Sequence, residues 1–102
     1  MTTTDLERCA EWRQKARDWL AEELAALKEK RAAANNELRL RWILRDVERL
    51  QSAEEFKGVR DEEEVAGLAE DEQEQCRALW TKMRRFAADV QSDINRPGRW
   101  QR

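Results

Sequence analysis

Glu70 to Ile94, EDEQEQCRALWTKMRRFAADVQSDI, decides the fold. Its apolar residues are Cys76, Leu79, Trp80, Met83, Phe86, Ala87, Val90 and Ile94. Their spacing alternates between three and four, which lines one stripe of a helix. Glu, Gln, Lys, Arg and Asp fill the flanks. One helix cannot bury its own stripe, so another element must cover it.

Two earlier stretches supply that cover. Thr4 and Glu7 have capping-box spacing, which predicts the start of a first helix. Its stripe reads Leu6, Cys9, Trp12, Ala16, Trp19, Leu20, Leu24 and Leu27, and it is expected to run to about Ala34. Asn35-Asn36 makes the break, because Asn tolerates left-handed backbone and caps helix ends. A second helix is expected from about Glu37 to Ser52. Leu40, Ile43, Leu44, Val47 and Leu50 share one of its faces. The opposite face carries Leu38, Arg41, Trp42, Arg45 and Arg49.

Ala53 to Gly67 reads as a connection. Gly58 is expected to supply a turn, and Asp61 to cap a short helix over Glu62–Val65 that Gly67 ends. Phe56, Val59, Val65 and Leu68 are apolar plugs for the gap between helices. Glu70, Asp71 and Glu72 fall in the first turn of the last helix, where the dipole favours acids. Arg96-Pro97-Gly98 stops it. The expected fold is therefore all-α: three long antiparallel helices, up-down-up, with a short helix in the second connection. The expected domain covers residues 1–95, with a flexible basic tail over 96–102.

Composition agrees with one small helical domain. The chain has 102 residues, with only 3 glycines and 1 proline to make turns. Charged residues make up 41 %, yet the apolar ones are periodic, which separates the chain from a disordered polymer. Its net charge of −2 gives no global pull toward nucleic acid. There is no histidine, so the commonest general base and metal ligand are missing. Cofactors: none are expected, and no metal. The residues from Met1 to Asp5 lack the features of a secretory signal, and no apolar run is long enough to span a bilayer. A cytoplasmic location is expected, with Cys9 and Cys76 as thiols. The sequence favours both as small buried hydrophobes over a redox pair.

Three blocks together resemble a known segment. They are Ala16-Arg17-Asp18-Trp19-Leu20-Ala21-Glu22-Glu23-Leu24; then Val47, Leu50 and Phe56-Lys57-Gly58-Val59-Arg60-Asp61; then Leu68-Ala69-Glu70-Asp71-Glu72, Cys76-Arg77-Ala78-Leu79-Trp80 and Met83. In order and spacing these resemble the helical segment that follows tetratricopeptide-type repeats in large bacterial proteins, common in planctomycete-like bacteria, which often also carry a Ser/Thr kinase domain. The resemblance covers about residues 12 to 90. Cys76 and Leu50 stand where the pattern usually has Trp, and Ala69 where it has Pro. The repeats and the kinase domain are absent, so the resemblance implies a helical module of an interaction scaffold and no kinase activity.

The candidate sites follow from what the helices leave over. Acid pairs such as Glu22/Glu23 and Glu70/Asp71 diverge on a helix and read as solvated faces. The acid run from Asp61 to Glu74 lacks the spacing of an EF-hand loop. No catalytic residue is expected. Trp42 stands among arginines on the outward face of the second helix, and three readings stay open: contact with a partner protein, an indole folded over its neighbours' stems, or stacking on nucleic acid. The partner-binding set is Leu38, Arg41, Trp42, Arg45 and Arg49, serving self-association or another protein. The alternative is a nucleic-acid face using Arg39, Arg41, Arg45, Arg49 and the tail. Trp80 is expected to be buried against the first helix near Trp19, Leu20 or Leu24. Arg60 has two readings, an ion pair with Glu23 that pins the connection to the first helix, or a solvated side chain beside Asp61 and Glu64.

Overall fold

The structure is a computed structural model that describes residues 3–96, and the side chains of residues 8–96. Every regular element among the described residues is helical. The elements are α1 (Thr3–Ala33), α2 (Glu37–Ser52), a 3₁₀ turn over Glu54–Phe56, α3 (Lys57–Arg60), α4 (Glu62–Val65) and α5 (Glu70–Asn95). The expected connection thus holds three short helical pieces where one was foreseen. Gly58 lies inside α3 and makes no turn. A Cβ there would meet the Trp12 ring at 3.8 Å, an ordinary contact. Thr4 lies within α1, which removes it from the cap position. The side chains of Thr4, Leu6 and Glu7 and the tail beyond Arg96, Trp100 included, lie outside the described residues.

Capping explains one boundary and leaves another to different chemistry. Asn36 is the N-cap of α2, and its side chain accepts the Arg39 backbone N–H at 2.9 Å. Asp61 holds the N-cap position of α4 without a side-chain cap bond. Its carboxylate accepts Arg60 Nε at 3.1 Å instead.

Helix lengths dictate how the core is shared. At about 1.5 Å per residue α1 is roughly 46 Å long, α5 roughly 39 Å and α2 only roughly 24 Å. One short helix cannot cover the whole groove between two long ones. The 53–69 segment covers the remainder, and Phe56, Val59 and Val65 from it join the same core as Leu40, Ile43, Val47 and Leu50 of α2. From α1 come Ala16, Leu20, Leu24 and Leu27; from α5 come Cys76, Trp80, Met83, Phe86, Val90 and Ile94. The result is a rod of 62 × 21 × 19 Å. Among the described residues no helix is long and apolar enough to cross a membrane.

The α1 stripe is rotated from the expected one. The core face of α1 steps 13, 17, 20, 24, 27, 31, alternating by four and three; Arg17, Leu20, Leu24 and Leu27 are buried, and Arg13 and Arg31 are half-buried. Trp12 and Trp19, expected on the stripe as core or core-edge residues, are 46 % and 44 % exposed. Trp19 stacks on Phe56, with ring centroids 5.6 Å apart and planes 19° from parallel. The core stripe begins and ends in arginine instead. Arg13 and Arg17 both donate to the Glu72 carboxylate, Arg17 at 2.9 Å. Arg31 Nε donates to Asp93 at 2.8 Å. Glu72 and Asp93 are the ends of the α5 stripe, so ion pairs close the α1–α5 seam at both ends. Residue type alone does not mark Arg13, Arg17 and Arg31 as core positions. The four–three spacing that runs through Arg13, Arg17 and Arg31 was the available signal.

The rotation also settles Arg60. The guanidinium donates to the Ala53 carbonyl through Nη1 and to Asp61 through Nε. The Glu23–Arg60 pair does not form, and Glu23 makes no ion pair among the described residues. Once the core face turns toward Arg17, Glu23 falls on its edge, half-buried, and needs no cation. Arg60 keeps a structural role by tying α3 to the end of α2.

Trp80 is buried as expected, at 4 % exposure, in one core with Leu20 and Leu24. Its indole N–H donates to the Val59 carbonyl at 2.9 Å, so the ring also anchors the connection. Cys76 is buried, and burial pushes its thiol pKa up against the opposing charge of Arg17. Cys9 is exposed, which corrects its assignment as a core residue.

Candidate functional site

The outer face of α2 is where the chain leaves large apolar surface in water. Leu40, Ile43, Val47 and Leu50 turn inward. That orientation forces Leu38 and Trp42 outward, and they are 57 % and 61 % exposed, more than any other large apolar residue described. Leu38, Trp42, Arg45 and Arg49 fall within a sector of roughly 60° at 100° per residue. Arg41 flanks that sector. All five residues expected to meet a partner are therefore exposed on one side of one helix.

The face has relief as well as exposure. A groove of about 540 Å³ runs between the end of α1 and the start of α2, with Ala33, Leu38, Trp42 and Ile43 as its apolar wall and Lys30 and Asp46 at its rim. The Trp42 ring forms one side of it. A shallower depression of about 320 Å³ lies between Trp42, Arg45, Asp46 and Arg49.

Its electrostatics are mixed. Arg41 pairs with Glu37 at 3.5 Å and Arg49 with Asp46 at 3.8 Å, both loose and solvated. Exposed pairs of this kind are worth under about 1 kcal/mol, so the arginines stay available to other partners. Arg39, Arg45 and Glu48 make no ion pair among the described residues. The four arginines share the helix with Glu37, Asp46 and Glu48, which leaves a small net positive charge. A phosphate backbone meets such a face with little net attraction, whereas a peptide surface of matching pattern meets it well.

A second apolar ledge lies on α1. Trp12, Ala16 and Trp19 face Phe56 across a cleft of about 420 Å³, with Lys15 and Glu55 beside them. Trp19 is stacked on Phe56, and both tryptophans are exposed to a smaller fraction than Leu38 and Trp42. Among the described residues no three Cys, Asp or Glu side chains gather as a metal ion would require.

No family model, curated protein or solved structure matches this chain.

Proposed function

We propose that the protein is a non-enzymatic interaction module, a three-helix up-down-up scaffold that binds another protein through the outer face of α2. The observation that carries this reading is the Leu38–Trp42 patch. Leaving an indole and an isobutyl group side by side in water forgoes about 25 cal/mol per Å² of apolar area, which a partner recovers by covering them. Arginine beside tryptophan is also the composition of interface hot spots. The resemblance to segments that follow tetratricopeptide-type repeats supports a scaffold context. Free thiols at Cys9 and Cys76 fit a reducing compartment, so the proposed location is the cytoplasm.

The test is capture from a lysate of the source organism by the immobilised chain, beside a Leu38→Ser/Trp42→Ser variant. The expected result is at least one protein, the chain's own copies included, held by the parent and lost by the variant. Identical retention by both contradicts the reading.

A further inference from the structure

The proposal below rests on the reading of α2 as an interaction face and names its partner. We propose that the partner is a second copy of this chain, paired through α2 in antiparallel orientation.

Leu38, Trp42, Arg45 and Arg49 step by four, three and four, which is the seam of a two-helix coil. On one flank of that seam lie Arg39 and Asp46; on the other lie Arg41 and Glu48. All eight residues are on the solvent side of α2 or at its edge. In an antiparallel pair related by a two-fold axis, each flank meets its own copy. The seam then sets Leu38 against Arg49 of the second copy and Trp42 against Arg45 of the second copy. In that same register Arg39 comes opposite Asp46 of the second copy, and Arg41 opposite Glu48 of the second copy. Both flanks are complementary, and the symmetry doubles each match.

The register also suits the seam itself. The Arg49 stem covers Leu38, and the Arg45 guanidinium lies over the Trp42 ring, where a cation is attracted by the ring face. The guanidinium groups still reach water at the rim. A parallel pair of the same helices sets Arg45 on Arg45 and Arg49 on Arg49, which costs energy through like-charge repulsion. The competing contacts within α2 are the loose Arg41–Glu37 and Arg49–Asp46 pairs, which yield readily.

The size of the contact sets its strength. Two helices of roughly 24 Å each bury less than the about 800 Å² per partner of a standard interface. The dimer is therefore a weak, reversible one, with a Kd of roughly 10 µM to 1 mM.

Sedimentation equilibrium with charge-swapped chains tests the register. The Arg39→Glu/Arg41→Glu chain has wholly acidic flanks, and the Asp46→Arg/Glu48→Arg chain wholly basic ones. Each alone should dimerise at least roughly tenfold more weakly than the parent. Mixed in equal amounts they should form a one-to-one pair at least as tight as the parent dimer. For orientation, Leu38→Cys and Arg49→Cys chains, both carrying Cys9→Ser, should cross-link with each other and not with themselves. A parent that stays monomeric at roughly 1 mM, or charge-swapped chains that each dimerise like the parent, overturns the proposal. Self-cross-linking of the Leu38→Cys chain overturns the antiparallel arrangement. If the parent is monomeric but the lysate capture still depends on Leu38 and Trp42, the second copy falls and the interaction face stands. If neither shows binding, both fall.

Discussion

Trp80→Ala is expected to lower the unfolding free energy by about 3–5 kcal/mol, enough to leave a domain of ordinary stability largely unfolded. Two losses add. The ring is 4 % exposed, so its removal leaves a cavity at the junction of α5, α1 and the connection. The Val59 carbonyl also loses the indole N–H it accepts at 2.9 Å. An orphaned buried carbonyl costs about 1–3 kcal/mol. Trp80→Phe separates the terms, because it keeps most of the ring and loses the hydrogen bond. Urea unfolding should place it between Ala and the parent. A loss below about 1 kcal/mol for Trp80→Ala would show that the connection does not depend on this ring.

Glu72→Gln should have the second largest effect, through the start of the α1–α5 seam. The carboxylate is 16 % exposed and Arg17 10 %, and Arg17 Nη2 is already committed to Gln14 at 2.8 Å. Arg17 Nε is buried without a hydrogen bond, so the guanidinium depends on Glu72 for charge compensation. The expected cost is about 2–4 kcal/mol, above an exposed pair and at or below a fully buried one.

The pH dependence of the parent follows from the same group. The hydrogen bond from Arg13, against the cost of burial and with help from Arg17, holds the Glu72 carboxyl below its ordinary pKa. A carboxyl with a depressed folded pKa stabilises fully above the unfolded value, about 4.3 for glutamate. That contribution is lost as pH falls from there through the folded pKa. Stability should therefore drop in acid below about pH 4.3, and Glu72→Gln should flatten that limb. An unchanged acid limb in the variant would mean that Glu72 is not the responsible group.

Much of the fold was legible because periodicity survives in sequence. The α5 stripe, the Asn36 break and the inward face of α2 each follow from residue type and spacing. What failed shares one cause. Apolar character was used to centre the α1 stripe, and Trp12 and Trp19 pulled that centre away from Arg13, Arg17 and Arg31. A buried arginine looks like a surface arginine until its carboxylate is known, and Glu72 and Asp93 lie 55 to 62 residues away. The Glu23–Arg60 expectation fails with the stripe, since the core face turns toward Arg17 and leaves Glu23 half-buried at its edge, where it needs no cation. The candidate site was legible for a simpler reason. Once Leu40, Ile43, Val47 and Leu50 face inward, helical geometry alone turns Leu38, Trp42, Arg45 and Arg49 outward. Its groove was not legible, because that depends on how the end of α1 sits beside α2.

The chain carries two apolar sets with separate duties, an inner one that holds the fold and an outer one on α2 that stays in water. Urea unfolding of Leu38→Ser/Trp42→Ser beside the parent, at a concentration low enough to keep both monomeric, tests this most directly. The predicted result is a change within about 0.5 kcal/mol, the scale of surface substitutions. A loss of about 2 kcal/mol or more would instead make Leu38 and Trp42 part of the core.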